Sequence, residues 1–245
     1  MPTGVHTDGS RSPERPAFEG ERPSPAPALL VAALCVLGLA VVWAVASHVS
    51  ALRLRDAQLL HDFSSIEGAR INAVARELLA LLNPAQFTIW AAALVLFALA
   101  RERPRLALAV GLVMGLAPFS AELLKPLLAH PHLEFGETRA IGSASWPSGH
   151  ATAATVLALS AVLVVPRRWR ALAAVLAGGF VLAVGVALLI RAWHMPSDVL
   201  GGWLLGSLWA ALAVAGVRAS ERRWPSRVRR EASAKPHSAR MRVPA

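Results

Sequence analysis

Apolar residues in this chain come in long uninterrupted blocks, not at the alternating or one-face spacing of a water-soluble fold. Residues 28–49, 106–124, 171–190 and 199–217 are almost continuously apolar. Each is close to the ~20 residues that an α-helix needs to cross ~30 Å of hydrocarbon. Two shorter blocks, 87–100 and 151–165, reach that length only if their flanks, 81–86 and 147–150, join them. The pattern predicts an all-α, polytopic membrane protein with six transmembrane helices. A further segment, 66–82, places Ile66, Ile71, Ala75, Leu78, Leu79 and Leu82 at helical spacing, with Arg70, Arg76 and Glu77 among them. It predicts a helix that lies on the membrane surface or caps the outer ends of the spans, a packing element and not a catalytic one.

Composition adds domain limits. Residues 1–27, rich in Pro, Gly, Ser and mixed charge, read as a disordered cytoplasmic tail. The apolar block behind them is too long for the core of a cleavable signal peptide. Residues 28–217 then form one membrane domain, and 218–245 a basic cytoplasmic tail. The single cysteine, Cys35, excludes an intrachain disulfide and a multi-cysteine metal site.

The net charge of +10 invites a nucleic-acid reading, but the distribution argues for topology instead. Of 25 Lys and Arg residues, three fall in 1–27, three in 101–105, three in 166–170 and nine in 218–245, against seven elsewhere. With six spans, those four segments share one side. Positive residues gather in cytoplasmic loops, so both termini are expected in the cytoplasm. The basic C-terminal tail is suited to anionic lipid headgroups. No nucleic-acid partner is expected.

The opposite side holds the chemistry. Its second loop carries Lys125, His130, His132, Glu134, Glu137, Arg139, Ser148 and His150; its third carries Arg191, His194 and Asp198. Ionisable groups at membrane-helix ends are functional candidates by default. In R-A-W-H-M-P-S-D, Pro196 suits the first turn of a helix. Asp198 then falls within reach of His194, either as an orienting carboxylate for the imidazole or as a plain helix cap. In P-S-G-H, Ser148, Gly149 and His150 open the next apolar helix. A helix start with little side-chain cover, carrying its partial positive charge, suits an anion such as phosphate. His150 is placed to donate a proton to a leaving oxygen. Lys125, at the end of the third span, either reaches towards headgroups or faces that anion.

These blocks resemble the type 2 phosphatidic acid phosphatase superfamily, the membrane lipid phosphate phosphatases, whose helical core is shared with bacterial acid phosphatases and vanadium haloperoxidases. The family pattern runs lysine, six residues, Arg-Pro; then Pro-Ser-Gly-His; then Ser-Arg, five residues, His, three residues, Asp. The resemblance covers about 106–206. It implies His194 as a nucleophile forming a phosphohistidine, Asp198 as its orienting partner and His150 as the leaving-group acid. Lys125, Ser148 and Gly149 would hold phosphate oxygens, with no metal or other cofactor. The chain departs from the pattern twice. His132 and Leu133 stand at the Arg-Pro position, and Ala187 and Leu188 at the Ser-Arg position. Arg191, His132 and Arg139 are the expected substitutes. A protonated His130 or His132 in that role implies higher activity at acid pH.

The implied function is hydrolysis of a lipid phosphate or prenyl diphosphate at the extracytoplasmic face of a bacterial plasma membrane. The partners are then the lipid substrate and membrane lipids; no oligomeric state is implied. Two other readings stay open: a homologue that binds or moves a lipid phosphate without turnover, and a tethered enzyme for soluble phosphate esters or a haloperoxidase. Loss of two arginines favours the former; preference for long-tailed over water-soluble esters would exclude the latter.

Overall fold

Prolines punctuate the start of most of the long helices, where the missing N–H costs nothing and φ is already helical. A computed structural model describes residues 24–66, 68–133 and 141–224. In it α1 (Ala26–His48) starts behind Pro25, while α4 (Pro84–Ala100), α5 (Pro104–Leu127) and α8 (Pro196–Arg223) each begin on a proline. Between them lie α2 (Ser50–Ser64), α3 (Ala69–Ala80), α6 (Gly149–Val164) and α7 (Arg170–Ile190), with a 3₁₀ turn at Arg167–Trp169 before α7. The described residues contain no strand. Glu134, Glu137, Arg139 and most of both expected tails lie outside the described residues.

Four to five of the six expected spans meet a length-and-hydropathy test, and six is not confirmed. Four helices are long and apolar enough to cross a bilayer: α1, α5, α7 with its preceding turn, and α8. The 66–82 segment forms α3, and α3 and α4 pass together as a pair bent by 55°. The sixth expected span is α6, whose 16 residues rise about 24 Å, less than the hydrocarbon core. The expected flank 147–150 lengthens it little, because the helix begins only at Gly149.

Two other boundaries move. The stretch between the first apolar block and the 66–82 segment forms a helix, α2, whose polar composition hid it; its Ala57 and Leu60 are buried. Helix α8 runs to Arg223, so the expected tail at 218 begins as helix. In α3, Ala75 and Leu79 are buried in a cluster with Leu60, Val184 and Leu188, which fits the packing role expected of that segment.

Helix α8 is the centre, packed by α1, α5 and α6, while α6 also rests on α5 and α7. The α6–α8 contact is a small-residue seam. A Cβ on Gly202 would come within 2.6 Å of Ala151 Cβ and the Ser148 carbonyl oxygen, and one on Gly206 within 2.6 Å of Thr155 Cβ. Such stripes let membrane helices approach backbone to backbone, where van der Waals contact replaces the missing hydrophobic drive. On α6, Thr152 and Thr155 return their hydroxyls to the carbonyls of Ser148 and Ala151, each at 2.8 Å, so no buried hydroxyl is left open there. The outer helices present their side chains outward instead: Leu30, Leu34 and Leu37 of α1 and Val175 and Leu176 of α7 are all more than half exposed, as lipid-facing residues are.

The two ends of the bundle differ. At one, Arg103 and Arg170 reach the Leu163 carbonyl, Arg105 the Ser220 carbonyl and Arg218 the Ser24 carbonyl. Both ends of the described chain therefore lie at this basic end. The other end gathers the close of α5 and the starts of α6 and α8.

Candidate active site

Helix α8 brings its own orienting group to His194. His194 Nδ1 lies 3.3 Å from Asp198 Oδ2, and the Met195 N–H donates to the same oxygen at 3.0 Å. Asp198 is fully buried, and His194 is slightly exposed at the side chain. With Nδ1–H given to the carboxylate, Nε2 keeps its lone pair for chemistry. The two readings left open in the sequence, cap and orienting partner, both hold: one carboxylate does both jobs.

The second histidine arrives through the seam. Ser148 caps α6, its hydroxyl accepting from Ala151 N–H at 3.3 Å, and its own N–H donates to the Asp198 carbonyl at 3.0 Å. The starts of α6 and α8 are thus stitched together. His150, one residue into α6, packs edge-on against Trp193 with ring centroids 5.7 Å apart. His194 and Lys125 both lie near enough to act electrostatically on the His150 ring. The close packing of Gly149 against α5 supplies the third element. A Cβ there would sit 2.9 Å from Glu122 Oε1 and 3.9 Å from Lys125 Nζ, so only glycine lets that approach occur without displacement.

Lys125 and His194 line one cavity of about 360 Å³, together with Ser145, Gly142 and Trp193. Lys125 is held there by an ion pair, 2.7 Å to Glu122 Oε1. The cavity brings together a cation and an oriented imidazole, which suits an oxyanion at phosphorus; the start of α6 lies beside it, against Lys125, and Ser148, Gly149 and His150 are not among its lining residues. No group of three or more His, Cys, Asp or Glu suited to a metal ion occurs among the described residues.

Three expected phosphate contacts sit differently. The Ser148 hydroxyl caps α6 by accepting from Ala151 N–H, and its N–H is given to the Asp198 carbonyl, so its backbone amide is already engaged. Arg191 ends α7, as the spacing required, but its guanidinium turns to Asn72 Oδ1 at 3.4 Å and over the Trp193 ring at 6.0 Å. His132 is one layer back: its Nε2 bonds the Ser145 hydroxyl at 2.8 Å, and Ser145 in turn faces the cavity. Burial pushes the His132 imidazole below its ordinary value, with Asp198 opposing and His130, Arg53 and His194 reinforcing the fall. In this structure the ring therefore meets the cavity through the Ser145 hydroxyl. Leu188, at the other arginine position, is fully buried in the apolar cluster beneath the site.

Sequence reasoning missed Glu122, Ser145 and Asp56. Glu122 had a local signal, the i to i+3 spacing to Lys125 on one helix face. Ser145 is the first residue of S-W-P-S-G-H but had no recognised role there. Asp56 carried no signal at all, because its partner Ser197 is 141 residues away.

Comparisons with known proteins bear on the fold and the family. The chain is similar in fold to a transmembrane PAP2-type phosphatidylglycerolphosphate phosphatase from Bacillus subtilis, with a TM-score of 0.57 and 21% identity, over 83% of this chain and 98% of that one. No curated protein sequence matches significantly. The all-helical fold and the apolar helices are those of a multi-pass membrane protein, and family and fold together support a phosphatase. A family model of the PAP2 superfamily matches residues 106–222, a segment that holds Lys125, both histidine motifs and the α6–α8 seam.

Proposed function

We propose that this protein hydrolyses a lipid phosphate or prenyl diphosphate through a phosphohistidine on His194, at the extracytoplasmic face of a bacterial plasma membrane. The observation that carries the reading is the His194–Asp198 pair opening on the same cavity as Lys125. In the first step His194 Nε2 attacks phosphorus and the bond from phosphorus to the leaving oxygen breaks. His150 gives that oxygen its proton. In the second step water attacks the phosphoryl group, His150 takes a proton from the water, and the P–N bond breaks to release phosphate and restore His194. Lys125 and the Gly149 and His150 amides offset charge on the equatorial oxygens. Apolar outer helices favour a substrate held by its tail in the bilayer. The basic opposite end, with both chain ends, favours cytoplasmic termini by the charge rule.

The test is phosphate release from a panel of lipid phosphates in detergent micelles, comparing the parent protein with His194→Ala and His150→Ala. Turnover by the parent with none by His194→Ala is expected. Turnover that survives His194→Ala would remove the nucleophile from the scheme. One observation favours a second reading, a lipid-phosphate-binding homologue without turnover: Leu188 fills an arginine position with a buried apolar side chain. Saturable lipid-phosphate binding with no release of phosphate by the parent would select that reading.

A further inference from the structure

Helix α2 reaches the nucleophile's turn through one carboxylate. Asp56 accepts from Ser197 twice, from its N–H at Oδ1 (3.0 Å) and from its hydroxyl at Oδ2 (2.5 Å). Ser197 is the second residue of α8, between Pro196 and Asp198, so both bonds fall on the turn that carries His194 and its orienting carboxylate. The first N–H groups of a helix have no partner within it, and an acidic side chain there answers both the open donor and the helix's positive end. Asp198 already serves Met195 N–H from inside the turn. Asp56 serves Ser197 from outside it, and the Asp198 carbonyl takes the Ser148 N–H on the far side.

The turn is therefore fixed on three sides, and only Asp56 comes from outside the segment that the family model matches. Bringing it there is costly. Burial pushes the Asp56 carboxyl above its usual range, with the two Ser197 bonds opposing and Asp198 adding to the rise. A second carboxylate close to Asp198 is unfavourable, unless what it holds in place offsets that repulsion. Helix α2 is itself held over the site by Arg53, which donates to the Pro131 carbonyl at 2.6 Å.

We propose that Asp56 is a positioning residue for the phosphoryl-transfer step: through Ser197 it holds the first turn of α8 so that His194 Nε2 faces phosphorus in line. It touches neither substrate nor reacting atom. Its effect falls on the transition state, where an imidazole displaced by a fraction of an ångström loses overlap, and not on ground-state binding of the lipid.

The inference rests on the proposed function, and the experiment separates the two. Initial rates on a short-chain phosphatidic acid in detergent micelles are measured for the full-length parent, His194→Ala, Asp56→Ala, Asp56→Asn and Ser197→Ala, with melting temperatures alongside. A parent inactive on every lipid phosphate of the panel defeats the phosphatase reading; an active parent whose Asp56→Ala variant is equally active defeats only this one. The expected result is a fall in kcat of about 10- to 100-fold for Asp56→Ala, with KM within about twofold. Asp56→Asn keeps an oxygen for the Ser197 N–H and an amide that can donate to the Ser197 hydroxyl, so it should recover most of the loss. Ser197→Ala, which loses one bond of two, should fall between. A parallel loss of kcat and melting temperature with no recovery in Asp56→Asn would reduce Asp56 to a structural contact and overturn the proposal. Orthovanadate, whose five-coordinate form takes an axial imidazole, gives a reading independent of turnover: Asp56→Ala should weaken its binding far more than that of inorganic phosphate.

Discussion

Asp198 Oδ2 receives two donors that begin four and three residues before it, the His194 ring at 3.3 Å and the Met195 amide at 3.0 Å. One oxygen thus couples the start of α8 to the orientation of the imidazole. Asp198→Asn keeps the size but offers one acceptor oxygen and an amide, so the ring can settle in the wrong tautomer. The expected outcome is a kcat lower by about 10²- to 10⁴-fold, the range in which loss of an orienting carboxylate falls. His194→Ala should fall to background. Initial phosphate release, with circular dichroism to verify helix content, checks both.

Glu122 holds Lys125, the cation proposed to meet the substrate phosphate. With Lys125 Nζ 2.7 Å from Glu122 Oε1, an incoming phosphate must share the ammonium with a carboxylate that is well exposed. Glu122→Gln removes the competitor and keeps the helix. Apparent affinity for inorganic phosphate as a competitive inhibitor should rise by a few-fold, while Lys125→Met should lower it by more than tenfold. Inhibition constants measured at low ionic strength would show it, since screening blunts exposed charge. Weaker phosphate binding in Glu122→Gln would mean that the carboxylate chiefly positions Lys125.

The seam that joins the two histidines should be intolerant of a single methyl group. On Gly202 the added carbon would lie 2.6 Å from the Ser148 carbonyl oxygen and 3.0 Å from the Thr152 amide, backbone atoms that cannot rotate away. Gly202→Ala should cost about 1–3 kcal/mol as α6 and α8 are forced apart. It should also lower activity, because Ser148 and His150 move with α6. Gly178→Ala on α7 is the control, where a Cβ meets nothing within 4 Å and alanine is the better helix former. Thermal unfolding in one detergent for both variants makes the comparison.

How much of this was legible follows from where each signal resides. Apolar block length and helix-start chemistry are local, so the bundle, the His194–Asp198 pair and the P-S-G-H start of α6 could all be read from the chain. Helix α2 could not, since S-A-L-R-L-R-D-A-Q mixes charge with few apolar residues and the helix owes its place to Ala57 and Leu60 packed beneath. The block at 151–165 is short for a related reason. Helix α6 is buried among other helices along most of its length, from Ala151 to Val156 without a break, and need not match the hydrocarbon thickness by itself. Spacing to a family pattern put His132 and Arg191 on the anion. What spacing could not supply is the partners that tertiary packing gives them, Ser145 for the one and Asn72 for the other.

His132 provides the pH test. The ordinary imidazole value is 6.5, and burial, the largest influence, sets the folded value below it. Among the charges that bear on the ring, Asp198 pulls the value back up, while His130, Arg53 and His194 push it further down. The unfolded chain therefore binds more protons than the folded one in the window between the folded value and 6.5. Stability consequently rises with pH through that window. What His132 contributes as a neutral ring is fully present above 6.5 and is lost as pH falls towards the folded value. His132→Gln keeps an uncharged partner for the Ser145 hydroxyl and cannot protonate. The parent should lose melting temperature between pH 7.5 and 5 more steeply than His132→Gln, and the two should converge in slope above pH 7. Activity of the parent should show no rise below neutrality that depends on His132. An acid-side gain in phosphate release that disappears in His132→Gln would show a charged ring meeting the substrate.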